Sequence, residues 1–172
     1  LDEKKKIGEF VLDLEKPYLG FCLGCQLLGE VLGGDVVKSS PPEIGIFDIT
    51  LHNDYSNDHL FGDFQNKIKA LQWHSYEVQN LEKISNIILL GSSPTTKYQI
   101  FKYKNHAYGI QFHIEIKSNT VSQWACVPEY ENALEESLGK GALYKFDKIA
   151  QENMKNMNFN AENLYNNFKK LL

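Results

Sequence analysis

The pentapeptide Gly20-Phe21-Cys22-Leu23-Gly24 constrains this chain more than any other segment. It follows the apolar run Pro17-Tyr18-Leu19 and leads into Cys25-Gln26-Leu27-Leu28-Gly29-Glu30-Val31-Leu32, which reads as a helix. A strand that turns directly into a helix is crowded, and glycines around the turn remove Cβ atoms that would collide. The residue held at such a turn projects from the strand tip at the positive end of the helix, where a thiolate is favoured over a thiol. Cys22 therefore reads as a nucleophile.

The rest of the chain supplies the frame. Ile7, Phe10, Val11 and Leu14 recur at helical spacing, and Lys16-Pro17 ends that first helix. Gly33-Gly34 stops the helix that begins near Leu23. Strand-like runs follow at Val36-Val37, 44–51, 68–73 and 87–90, while Ser39-Ser40-Pro41-Pro42 and 52–58 read as loops by composition. Residues 100–103 and 107–112 flank Lys104-Asn105-His106, which reads as a hairpin turn. The last third is polar and helical, with Leu164, Phe168, Leu171 and Leu172 as its apolar stripe. That order predicts an α/β fold in one domain spanning residues 1–172.

Composition narrows the function. A net charge of −4 leaves no basic footprint for nucleic acid. No apolar run approaches the roughly 20 residues of a membrane helix, and Leu1-Asp2-Glu3-Lys4-Lys5-Lys6 does not read as a secretory leader. Three cysteines, an odd and low count, argue against a disulfide scaffold and suit a reducing cytoplasm. The chain opens on Leu1 rather than methionine, so further N-terminal sequence is expected.

A nucleophilic thiol needs a base and a group that orients the base. Gly109-Ile110-Gln111-Phe112-His113-Ile114-Glu115 offers both, because residues two apart on an extended segment share a face. The expected roles are Cys22 nucleophile, His113 base and acid, and Glu115 orienter. Cys22-Leu23-Gly24-Cys25 also has the C-x-x-C spacing of a redox pair, but that reading gives Gln26 and the His113–Glu115 pair no task. Cys25 is expected only to pack the helix, and no second close cysteine or histidine pair completes a zinc site. His74 either lines the pocket or is structural beside Trp73; His52, His59 and His106 fall in polar stretches and read as surface residues.

Together these segments resemble the class I (triad) glutamine amidotransferases. The family's nucleophile motif, glycine-x-cysteine-x-glycine-x-glutamine, stands here as Gly20-Phe21-Cys22-Leu23-Gly24-Cys25-Gln26, and its histidine-x-glutamate motif as Gln111-Phe112-His113-Ile114-Glu115. Glu43-Ile44-Gly45 and Trp73-His74-Ser75-Tyr76 are similar to the branch related to the glutaminase part of GMP synthase. The resemblance covers roughly Pro17 to Glu115 and implies a flavodoxin-like three-layer fold. It implies hydrolysis of the glutamine side-chain amide through a thioester on Cys22, without cofactor or metal. The backbone N–H of Leu23 would serve the oxyanion, and Gln26, His74 and Ser75 would bind substrate. The implied partner is a separate ammonia-accepting synthase subunit. The same triad suits a stand-alone γ-glutamyl peptidase, and a non-catalytic remnant of the fold is the remaining alternative. The family's first strand and glycine-rich loop, which carries a second oxyanion donor, have no counterpart before Gly20, so an N-terminally truncated sequence is expected.

Overall fold

Along the central strands, side chains alternate between two apolar clusters. On β5 (Ile100–Tyr103) Ile100 enters one cluster and Phe101 the other; on β6 (Ala107–Ile110) Tyr108 and Ile110 face the first and Ala107 the second. The computed structural model describes residues 2–127, 132, 134–136 and 138–172. Before the sheet comes α1 (Asp2–Gly8), extended by a wider π turn at Glu9–Asp13. Val11 from that turn, with Cys25 and Leu28 of α2 (Leu23–Val31), fills the second cluster. The first cluster is closed by Val121 of α3 (Thr120–Ala125) and by Phe146, Ala150, Met157 and Leu164 of α4 (Ala142–Phe168). These four lie on one face of the long helix. Leu172, expected in that stripe, is 82% exposed and lies outside it. The result is the expected α/β arrangement, with helices on both faces of a sheet.

The sheet has six strands in the order β1-β6-β5-β4-β2-β3, adding β1 (Tyr18–Phe21), β2 (Asp35–Leu51), β3 (Lys67–Gln79) and β4 (Ile87–Ser92). Only the β1–β6 pair is parallel among these. The expected loop at Ser39–Pro42 is instead part of β2. Pro41 and Pro42 have no N–H to give the ladder, so pairing with β3 slips there, from Lys38 opposite Tyr76 to Glu43 opposite His74. The strand continues through an irregularity because its apolar ends still pair. The stretch after β2 is a short 3-10 turn, Asn53–Asn57, followed by a buried Asp58 whose carboxylate accepts the N–H groups of Leu60 and Phe61 and pairs with Lys102 at 2.8 Å.

One further pairing matters for function. β3 stands last in the strand order, yet it curls back past the end of β6. Leu71 N–H donates to the His113 carbonyl at 2.9 Å and His113 N–H to the Leu71 carbonyl at 2.8 Å. Among the described residues no helix is long and apolar enough to cross a membrane.

Candidate active site

The β1–α2 turn holds Cys22 at φ 46° and ψ −104°. A positive φ is uncommon for a residue with a Cβ and costs energy, so neighbours must enforce it. Cys22 N–H donates to the Ile110 carbonyl at 2.8 Å, and its own carbonyl accepts Gln26 N–H at 3.0 Å. A Cβ on Gly20 would stand 2.6 Å from the Gly24 carbonyl and 2.7 Å from the Tyr18 ring. Tyr18 Oη donates to that same carbonyl at 3.0 Å, tying strand to helix. Gly109 does the same for β6: its Cβ would lie 2.6 Å from Phe101 and 3.1 Å from Cys25 Sγ. Removing it lets β6 approach α2 and brings the segment after β6 beside the turn.

Cys22 and His113 thereby line one open cavity of about 300 Å³ with Trp73 and Trp124. His113 Nδ1 lies 2.5 Å from Glu115 Oε1, while Glu115 Oε2 accepts Ile114 N–H at 2.9 Å. Trp124 meets the His113 ring edge-on at 5.3 Å between centroids and Trp73 at 5.5 Å. Burial opposes a charge on His113, but hydrogen bonds with Cys22 and Glu115 outweigh it and lift the imidazole to about 9. Burial likewise opposes the Glu115 charge, and the bond to His113 overcomes it, leaving the carboxyl below its usual range.

The other cysteines stand apart. Cys25 is fully buried, and burial, reinforced by the nearby Cys22, pushes its thiol well above the usual range. It packs the helix against β6, as expected. Cys126 is exposed, and all three cysteines are free. No group of metal ligands occurs among the described residues.

The expected substrate-binding residues divide. Gln26 Nε2 donates to the Tyr76 carbonyl at 3.0 Å and to Gln111 Oε1 at 3.2 Å. His74 does not line the cavity with Cys22; it is 5% exposed and turned inward. Its Nδ1 donates to the Tyr76 carbonyl at 3.0 Å and its Nε2 lies 3.1 Å from Glu43 Oε2. Glu43 also accepts Gln99 Nε2 at 2.6 Å, Ser93 Oγ at 2.5 Å and Thr95 Oγ1. Burial raises that carboxyl, but this set of donors, His74 first, brings it below the usual range. Ser75 is half-buried on β3 between His74 and Tyr76. Leu23 opens α2, where first-turn N–H groups have no partner within a helix. Sequence reasoning gave no role to Gln111, whose Nε2 reaches Cys22 Sγ at 3.7 Å. The signal was present: Gln111 lies two residues before His113, in the same alternation that joined His113 to Glu115.

A family model described as glutamine amidotransferase class-I matches residues 1–124. The chain is 36% identical over 121 residues to the glutamine-hydrolyzing GMP synthase subunit of Sulfolobus acidocaldarius, covering 68% of this chain and 62% of that protein. It is 37% identical over 116 residues to the GMP synthase subunit of the same name from Ignicoccus hospitalis, covering 67% and 59%. The chain thus spans about 60% of the length of these curated relatives. The crystal structure of a glutamine amidotransferase from Thermotoga maritima superposes with a TM-score of 0.81 at 26% identity, covering 97% of this chain and 68% of that one.

Proposed function

We propose that this chain, which belongs to the class I glutamine amidotransferase family, hydrolyses the side-chain amide of glutamine through a thioester on Cys22. The observation that carries the reading is Cys22 and His113 on one cavity wall, with the Glu115 carboxylate bonded to the imidazole. In the first half-reaction Cys22 Sγ attacks the amide carbon and the carbonyl electron pair moves onto oxygen. That oxyanion is met by the N–H of Leu23 at the start of α2. The pair returns, the C–N bond breaks, and the His113 proton goes to the nitrogen, which leaves as ammonia. In the second half, water gives a proton to His113 as its oxygen attacks the thioester carbon. The sulfur leaves as thiolate and glutamate is released. Glu115 holds the ring in place throughout. Gln26, with both amide hydrogens given to Tyr76 and Gln111, meets substrate as an acceptor through its oxygen. No cofactor enters this sequence of steps.

The test is ammonia release from glutamine by the purified protein. Turnover in the parent and none in a folded Cys22→Ala variant is the expected result; turnover that survives Cys22→Ala overturns the reading, and no turnover in the parent points to a non-catalytic remnant. The aromatic wall of Trp73 and Trp124 beside the sulfur favours a second reading, in which the leaving amine is substituted, as in a γ-glutamyl peptide. Competition between glutamine and a γ-glutamyl peptide decides which is preferred. Because these relatives are named as subunits of GMP synthase, we assign the ammonia to a separate synthase subunit, whose addition should raise the rate of glutamine hydrolysis.

A further inference from the structure

We propose that Gln111 is a further catalytic residue: its side-chain N–H donates to Cys22 Sγ, and a chain of amides that starts at the Tyr76 carbonyl fixes it in that sense. The inference rests on Cys22 being the nucleophile. A glutamine side chain can lie either way round, and its hydrogen-bond network decides which end is oxygen. A backbone carbonyl only accepts, so the end of Gln26 that lies 3.0 Å from Tyr76 O must be its NH2 group. The second hydrogen of that group points to Gln111 at 3.2 Å, which must therefore present its oxygen. The far end of Gln111 is then NH2, and it lies 3.7 Å from the sulfur, within the longer reach of a sulfur acceptor.

Both ends of this relay are held. Gln111 is 1% exposed and its N–H donates to the Gln99 carbonyl at 2.9 Å. The Tyr76 carbonyl is gripped a second time by His74 Nδ1 at 3.0 Å, and His74 leans on Glu43. A donor aimed at sulfur discriminates between its two forms, because a thiolate accepts far better than a thiol. The sulfur is anionic before attack and again when it leaves the thioester. Gln111 serves both moments. The other titratable groups around the sulfur are His113, backed by Glu115, and Cys25 on α2.

The experiment measures the rate at which iodoacetamide alkylates Cys22, resolved by peptide mass, from about pH 5 to about pH 10. Gln111→Met keeps the length of the side chain and removes the donor. It should react about tenfold more slowly than the parent near neutral pH and converge with it in alkali. Gln26→Leu, on the partly exposed face of α2, leaves Gln111 free to turn and should cost about threefold in the same window. A folded variant whose profile superimposes on the parent overturns the proposal. If Gln111→Met does not fold, Gln26→Leu decides alone. A parent in which Cys22 reacts no faster than Cys126 overturns the nucleophile itself, an outcome distinct from unchanged variants of a reactive parent.

Discussion

Two imidazole–carboxylate pairs stand among the described residues, and their surroundings differ. His113 and Glu115 are two residues apart and 2.5 Å from each other, and His113 lines a cavity open to solvent. His74 and Glu43 meet across the β2–β3 ladder at 3.1 Å, each side chain 2% exposed. The chemical groups are the same, so the difference lies in what else they touch. With Nδ1 given to Glu115, His113 has a ring nitrogen left for Cys22. His74 has spent both nitrogens, one on Glu43 and one on the Tyr76 carbonyl. A pair of this kind does chemistry when its remaining nitrogen faces a reactive atom, and builds scaffold when it faces backbone.

Substitutions should separate the pairs. The largest effect is expected from His113→Asn, which removes the proposed proton carrier: glutamine hydrolysis should fall by about a thousandfold or more, far out of proportion to the loss of stability that goes with the His113–Glu115 bond. The opposite signature is expected of Glu43→Ala, which strands the buried donors His74 and Gln99 and the half-buried Ser93. Denaturant titration should show a loss of about 3–5 kcal/mol. Glu43 ionises below its usual range in the folded chain, so the stability it adds is complete above about pH 4.5 and fades as the pH falls through its folded value. Acid unfolding of Glu43→Ala should therefore be shallower than that of the parent. A rate loss with unchanged stability for Glu43→Ala would erase the distinction.

Smaller effects sharpen it. Glu115→Gln should slow turnover by about ten- to a hundredfold and lower the titration midpoint of His113, followed by NMR, from its value of about 9. Because that value is raised, the stability tied to His113 is full below about pH 6.5 and is lost as the pH climbs through about 9. The same variant should flatten that alkaline slope. The least effect is expected of Cys25→Ala, a loss of about 1 kcal/mol in the core with Cys22 labelling intact.

The local parts of this arrangement were legible in the sequence. A glycine-bounded cysteine and a histidine-x-glutamate run are short patterns, and the fold places them together because β1 and β6 are neighbours. Less legible was anything set by register. Glu43 meets His74 only because the Pro41-Pro42 irregularity shifts β2 against β3, and composition had read that segment as a loop. Of the two readings of His74, pocket or scaffold, register also decides which contacts it makes: it is turned inward onto Glu43 and does not line the cavity with Cys22. Gln111 stands inside the quoted motif, but its role was not legible there, because its partner, Gln26, comes from a helix 85 residues earlier.

The two backbone bonds between Leu71 and His113 anchor the imidazole to β3. A histidine on a free loop could drift while the rest of the molecule stayed intact. This one is stitched to the strand that also carries Trp73, His74 and the Tyr76 carbonyl, so the aromatic wall, the amide relay and His113 travel as one piece. Warming should then leave the proposed glutamine hydrolysis intact until the sheet itself comes apart, with function and architecture failing at a shared temperature rather than in succession.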